Sequence, residues 1–252
     1  MAAIPVPAST VLLLRDGAEG LEVLMITRHA ASGFAAGALA FPGGKLDPED
    51  ETLAPASLAG PPPGAFRVAA VRETYEETGL LLARRPGAAS LLAHDDVAGL
   101  PRAGFANLVA EARLELALDL LVPYAHWITP VDSPKRFDTH FFLAPVPEGQ
   151  RPIADQRETH GLSWVRPAEI LAAAEAGRAS LVFATRMNLR RLAASASVAD
   201  ALEAARARPV ATVCPEIVKR PDGTYFCIPE AAGYGGSEFP AAGIPRAWSG
   251  KS

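Results

Sequence analysis

Phe41-Pro-Gly-Gly-Lys45 and Arg72-Glu-Thr-Tyr-Glu-Glu-Thr-Gly-Leu80 bound the stretch whose reading decides the fold. On an α-helix, with about 100° per residue, Glu73, Glu76 and Glu77 fall within an arc of about 100°. Val68, Val71 and Tyr75 point roughly the other way, with Thr78 beside them, so one face packs while the other collects acid. Like charges one turn apart repel by a few tenths of a kcal/mol (about 0.2–0.5) per pair, which calls for a cation to offset them. Arg72 can meet Glu76 one turn on, and a single guanidinium leaves charge over. Oxygen-only ligands in this number suit Mg2+ or Mn2+. A solvated, charged helix face has the same local pattern. Gly79 predicts a left-handed stop just past the last acid.

Upstream, Phe41-Pro42-Gly43-Gly44-Lys45 reads as a strand end, a rigid proline and two glycines that permit a sharp turn or a close backbone approach. The combination of this Gly-Gly turn with Arg-Glu-x-x-Glu-Glu-x-Gly-Leu resembles the signature of the Nudix hydrolases. Gly44 would be its first glycine, Asp50 its first acid, and Arg72, Glu73, Glu76, Glu77, Gly79 and Leu80 the remainder. Asp50 stands where the family has glutamate, and residues 51–71 separate it from Arg72 where the family has seven. Ala-Gly-Pro-Pro-Pro-Gly at 59–64 cannot be helical and predicts a surface excursion, inserted at about 51–64 of a box spanning 44–80. Residues 24–44, the insert, Trp127-Ile-Thr-Pro and Arg136-Phe-Asp-Thr-His-Phe-Phe resemble one branch, that of the mammalian peroxisomal nudix-nineteen-type coenzyme A diphosphatase and its bacterial relatives.

The resemblance implies an α/β fold: a Nudix α/β/α sandwich with a mixed sheet, a loop insertion inside the box, and an added C-terminal hairpin and helices. It implies a Nudix domain over 1–207 with 208–252 packed on it. It also implies a Mg2+- or Mn2+-dependent diphosphohydrolase acting on a small-molecule nucleoside diphosphate derivative, and leaves a homodimer open. Glu76 and Glu77 would hold most of the metal, Glu73 would share it or assist deprotonation, and Arg72 would orient a glutamate. Glu158, six residues before Trp164, resembles the late glutamate that serves as base in several relatives; an ordinary loop carboxylate reads the same, and His160 is the fallback. Gly43, Gly44 and Lys45 would seat the diphosphate. Arg28, Lys135 and Arg136 would meet phosphates or form surface salt bridges, and Asp138 a structural hydrogen bond. Coenzyme A or an acyl derivative leads among substrates. Nucleotide sugars, dinucleotides and oxidised nucleotides stay open, because of the better-known coenzyme A motif before Phe-Pro-Gly-Gly only Leu24 and Gly37 match. A nucleotide-sensing module without turnover is the competing class; such modules tend to lose helix acids, and this chain keeps three.

Composition agrees with a globular enzyme. With 252 residues and 49% hydrophobic content the chain can bury a sizeable core. A net charge of −4 argues against wholesale nucleic-acid binding. No apolar run reaches a membrane span and no basic leader opens the chain, so a cytoplasmic location is expected. Two cysteines, Cys214 and Cys227, flank an expected hairpin and are read as two buried thiols rather than a disulfide.

The apolar runs predict strands at 9–14 and 21–28 joined as a hairpin, at 38–41, from Pro123 to Pro130, and at 137–146 and 162–165. One amphipathic helix is expected over 103–119, another from Pro167 through Ala176, and more across 184–207. Asp222-Gly223 predicts a hairpin over 216–229, and the Gly- and Pro-rich end an extended tail.

Overall fold

The computed structural model describes residues 2–28, 37–58, 62–101, 104–154 and 159–244, without the side chains of Arg28, Thr159 and His160. In chain order its elements are β1 (Val6–Gly17), β2 (Gly20–Arg28), β3 (Leu39–Ala40), β4 (Gly43–Lys45), α1 (Pro48–Leu53), α2 (Gly64–Thr78), β5 (Ala83–Arg84), α3 (His94–Ala98) and α4 (Phe105–Glu111). There follow β6 (Glu115–Leu116), β7 (Val122–Ile128), β8 (Phe137–Pro145), β9 (Thr159–Val165), α5 (Pro167–Glu175), α6 (Phe183–Leu192) and α7 (Val198–Arg206). β10 (Thr212–Val213), β11 (Glu216–Arg220), β12 (Gly223–Cys227) and β13 (Glu238–Pro240) complete the described chain.

Val11, Leu12, Leu13 and Leu14 of β1 are all fully buried, so this apolar run is a strand covered on both faces. Side chains alternate across a strand, and Val11 and Leu13 join Val68, Ala70 and Val71 of α2 in one core. Leu12 and Leu14 join Phe183, Leu189 and Leu192 of α6 and Ala201 of α7 in a second core on the other face. The result is the expected α/β/α sandwich around a mixed sheet of order β10-β7-β8-β1-β2-β3. β1 runs parallel to β8 and antiparallel to β2.

The register of β1 and β2 builds the site. They pair only from Leu14↔Val23 to the turn at Gly17↔Gly20. Beyond that β4 takes the edge of β1 at Ala8–Thr10, while β3 takes Ile26–Thr27 of β2, which also pairs with β9. Thus Gly43 and Gly44, expected as a sharp turn or a close backbone approach, lie in a short strand hydrogen-bonded to β1, and Pro42 is the bend between the two short strands. Gly79 ends α2 at φ 68°, its N–H donating to Tyr75 O at 2.8 Å, as its sequence position predicts. Buried Gln150 then secures the segment after α2, accepting from Leu81 N–H and donating to the carbonyls of Leu81 and Leu92.

Four sequence expectations need correction. The helix expected over 103–119 stops at Glu111; Arg113 turns to φ 49°, and β6 pairs with β5. Ala83 and Arg84 pair with Leu116 and Glu115, and Ala117 N–H donates to Leu82 O, so backbone pairing with the buried Leu80–Ala83 run replaces the helical hydrogen bonds while Leu114, Ala117, Leu118 and Leu121 stay buried. The insert is not wholly a surface excursion: Leu53, Ala54 and Leu58 pack against the α2 core. The tail supplies β13 to the β11–β12 hairpin, and Phe239 packs beside Phe183. Cys214 and Cys227 are free thiols, half-buried rather than buried.

Candidate active site

A cleft of about 600 Å³ opens beside β4 and α2, and Gly43, Gly44, Lys45, Arg72, Glu73, Glu76 and Glu77 all line it. Helical spacing places the three glutamates, and Arg72 holds two of them, Glu73 and Glu76. Its Nε and Nη2 each donate at 2.9 Å to an oxygen of Asp50, and Nη2 also donates to Lys45 O at 2.8 Å. Its Nη1 donates to Glu73 Oε1 at 2.8 Å and Glu76 Oε2 at 3.0 Å. A guanidinium has five N–H donors, and these bonds use five. Arg72 therefore acts on the glutamates and the backbone. Burial by itself would lower its pKa, but the bonds and charges of Asp50 and Glu73 more than reverse this and hold the cation above its ordinary value.

Asp50, doubtful from spacing alone, is fully buried beneath this guanidinium. Its Oδ2 also accepts Asp47 N–H at 2.8 Å, which closes the first turn of α1. The insert enters after this anchor and rejoins at Pro63, the residue before α2, so its length leaves the anchor in place.

Glu77 is buried, and its Oε2 accepts Gly43 N–H at 2.8 Å, tying the acid helix to β4. Glu73 lies against Gly44 so closely that an added Cβ would stand 2.4 Å from Glu73 Oε1. Glu76 is the more exposed acid. Burial raises its pKa above the ordinary value, outweighing the charge and hydrogen bond of Arg72, and the charges of Asp47 and Asp50 add to the rise. A wall offering only carboxylate oxygens, with a glycine where a side chain would collide, fits a hard divalent cation such as Mg2+ or Mn2+.

A further part of the lining is aromatic: Trp127, Phe183 and Phe226, which no sequence motif marks as pocket residues, line the cleft together with Phe41, a residue the sequence offers as pocket or core aromatic. Phe183 meets Trp127 edge-on at 5.7 Å and stacks on Phe226 at 4.4 Å. Trp127 Nε1 donates to Tyr234 Oη at 3.0 Å, and Tyr234 in turn donates to Asn188 Oδ1 at 2.9 Å. Burial pushes the Tyr234 phenol up to about 12, so it remains a neutral donor. Four elements distant in sequence build this wall, and no local motif announces it.

Lys135 lines the cleft, whereas Arg136 does not. Arg136 is buried and donates to Thr129 O and Ala3 O, tying β7 to the N-terminal segment. The backbone of Arg28 ends β2. Glu158 lies outside the described residues.

A family model, the NUDT19 Nudix domain, matches residues 54–192, more than half of the chain. The chain belongs to the Nudix hydrolase family. Among solved structures, a Nudix hydrolase from Alicyclobacillus acidocaldarius superposes with a TM-score of 0.69 at 30% identity, covering 80% of this chain and 96% of that one. Nudix hydrolase 7 of Caenorhabditis elegans is 29% identical over 163 residues, which cover 64% of this chain and 52% of that protein. Human acyl-coenzyme A diphosphatase NUDT19 is 29% identical, with 73% of this chain and 63% of that protein covered. The chain thus spans between about half and two thirds of the length of these curated relatives. Among the described residues, no helix is long and apolar enough to cross a membrane.

Within this Nudix site the Gly44 approach is a sharp test. Gly44→Ala places a methyl where Glu73 now stands, and if Glu73 works at the reacting phosphate a displacement of about 1 Å costs about 10²-fold in rate. A fall of about that size in kcat, with an unchanged circular dichroism spectrum, is the expected result.

Proposed function

We propose that this chain is a Mg2+- or Mn2+-dependent diphosphohydrolase that cleaves the P–O–P bond of a nucleoside diphosphate derivative, with coenzyme A or an acyl-coenzyme A as the leading substrate. The observation that carries the reading is Arg72: its five N–H groups are spent on Asp50, Lys45 O, Glu73 and Glu76, so it serves to aim carboxylates into the cleft.

Glu73, Glu76 and Glu77 would hold the ion, which supplies charge stabilisation at the phosphoryl oxygens and makes the attacking water more nucleophilic. Arg72 keeps Glu73 and Glu76 oriented before substrate arrives, so little reorganisation remains for the reaction. The Glu77 bond to Gly43 N–H sets the distance between the acid helix and β4, where the diphosphate would lie. Lys45 and Lys135 would screen the phosphates, and the Trp127, Phe183 and Phe226 wall would receive the base or the pantetheine arm. The base role rests on Glu158 from its sequence position alone. The substrate reading draws support from the printed activity of the human relative.

Incubating the purified chain and Mg2+ with coenzyme A, acyl-coenzyme A, ADP-ribose, NADH, diadenosine polyphosphates and nucleoside triphosphates tests the proposal. Release of 3′,5′-adenosine diphosphate from coenzyme A is the expected product. Ligand binding with no turnover across the panel would make the chain a nucleotide sensor.

The raised Glu76 pKa adds a pH prediction. Ion binding needs the carboxylate, so as pH falls through that raised value a proton competes, and apparent Mn2+ affinity should drop about tenfold per pH unit. A carboxyl raised in the fold favours the folded state on protonation, so the loss is of binding and not of structure. Calorimetric Mn2+ titrations across pH check this; affinity flat down to the ordinary value of 4.5 would remove Glu76 from the ligand set.

A further inference from the structure

On the opposite face of the sheet a second group of side chains meets. Thr139 and Phe141 of β8 line the cleft, so Asp138 and His140, which alternate with them, project away from it. His126 of β7 stands directly across from His140 in the β7–β8 register. The two imidazoles stack with centroids 4.0 Å apart and planes 10° from parallel, while Phe66 of α2 closes over His140 edge-on at 4.4 Å. His126 Nε2 lies 2.5 Å from Asp138 Oδ1, and one ligand atom from each of the three residues lies within 4.8 Å of the other two.

We propose that His126, Asp138 and His140 form a binding site for a borderline divalent transition ion of the zinc type, separate from the glutamate site. Two imidazoles and one carboxylate are the donor set such ions select over Mg2+, and three protein ligands leave a fourth position open to water. The two histidines face each other across neighbouring strands, with an acid two residues from one of them on the same face, and because their rings stack nearly parallel a side-chain rotation of one imidazole is what brings both nitrogens to one ion. Zinc bonds of about 2.0–2.2 Å put neighbouring tetrahedral ligands about 3.3 Å apart, so the His126–Asp138 contact opens by less than about 1 Å. The ion takes the place of the hydrogen bond between His126 Nε2 and Asp138 Oδ1, and the single ring proton of the neutral imidazole passes through solvent to Nδ1. His126 Nδ1, 2.8 Å from Thr212 Oγ1 of β10, then donates to that hydroxyl, the outer hydrogen bond that orients a metal-bound histidine. Access is open, because the His126 and Asp138 side chains retain 17% and 34% exposure. Bound there, the ion would pin β7 to β8, the two strands that carry Trp127, Thr139 and Phe141 to the cleft wall.

The test is calorimetric titration of the full chain with Zn2+ in a large excess of Mg2+, which occupies the glutamates. One Zn2+ per chain is expected. His126→Gln combined with His140→Gln should weaken it at least about 100-fold, and Thr212→Val about tenfold, as loss of an outer-shell bond does. No Zn2+ binding by the parent, or an affinity that the double substitution leaves within threefold, overturns the proposal. X-ray absorption on the zinc-loaded parent decides independently of whether the variant folds: scattering from two imidazoles supports the site, and an oxygen-only shell rejects it.

Discussion

Replacing Glu77 by Gln is expected to lower metal-dependent turnover by about 10²–10³-fold while leaving the fold intact, a loss of the size seen when one charge-stabilising group is removed from a preorganised site. The amide oxygen of Gln can still accept Gly43 N–H, so the tie between α2 and β4 survives. What disappears is a negative charge on a buried oxygen donor in the cleft wall, and a neutral amide is a poor ligand for a hard cation. The measurement is kcat against Mg2+ concentration, with thermal unfolding as the control. A variant that turns over at near-parental rate would remove Glu77 from the metal set. A variant that regains rate at high Mg2+ would show that Glu77 contributes affinity alone.

Asp50→Ala is expected to damage both stability and rate. Asp50 is fully buried and takes two bonds from the equally enclosed Arg72, so its removal leaves a guanidinium with no opposing charge at its inner edge. Breaking a buried pair by removing one partner costs about 3–5 kcal/mol. For a domain of this size each kcal/mol is worth about 2–4 °C, so the midpoint of unfolding should fall by about 10 °C. Arg72 would lose the bonds that set its plane, and the aim of Glu73 and Glu76 with it, so a fall in kcat of about 10²-fold should accompany the lost stability. Thermal and urea unfolding, read beside kcat below the new midpoint, check both. A midpoint within about 2 °C of the parent would mean that Arg72 finds another partner.

The parts of this protein legible in its sequence are those governed by neighbours a few residues apart. The spacing of Glu73, Glu76 and Glu77 determines one helical face, Gly79 its end, and the apolar run at 9–14 a strand. The turn between β1 and β2, the helix opening at Pro167 and the hairpin at Asp222-Gly223 follow from the same short-range rules. Over 103–119 the helical reading lost to a long-range term, the backbone pairing of Glu115–Ala117 with the chain after α2.

Tertiary structure decided everything that depends on which distant residues become neighbours. Residue count argued against Asp50 because it measures chain length, whereas the buried pair with Arg72 depends on where α1 docks, which a packed insert does not disturb. The aromatic wall draws on β3's end, β7, α6 and β12, and the His126–Asp138–His140 group on the pairing of β7 with β8. A sequence lists the donors for a charged pair, an aromatic wall or a metal site. Their meeting is set by burial of the two cores, a long-range term with no local signature.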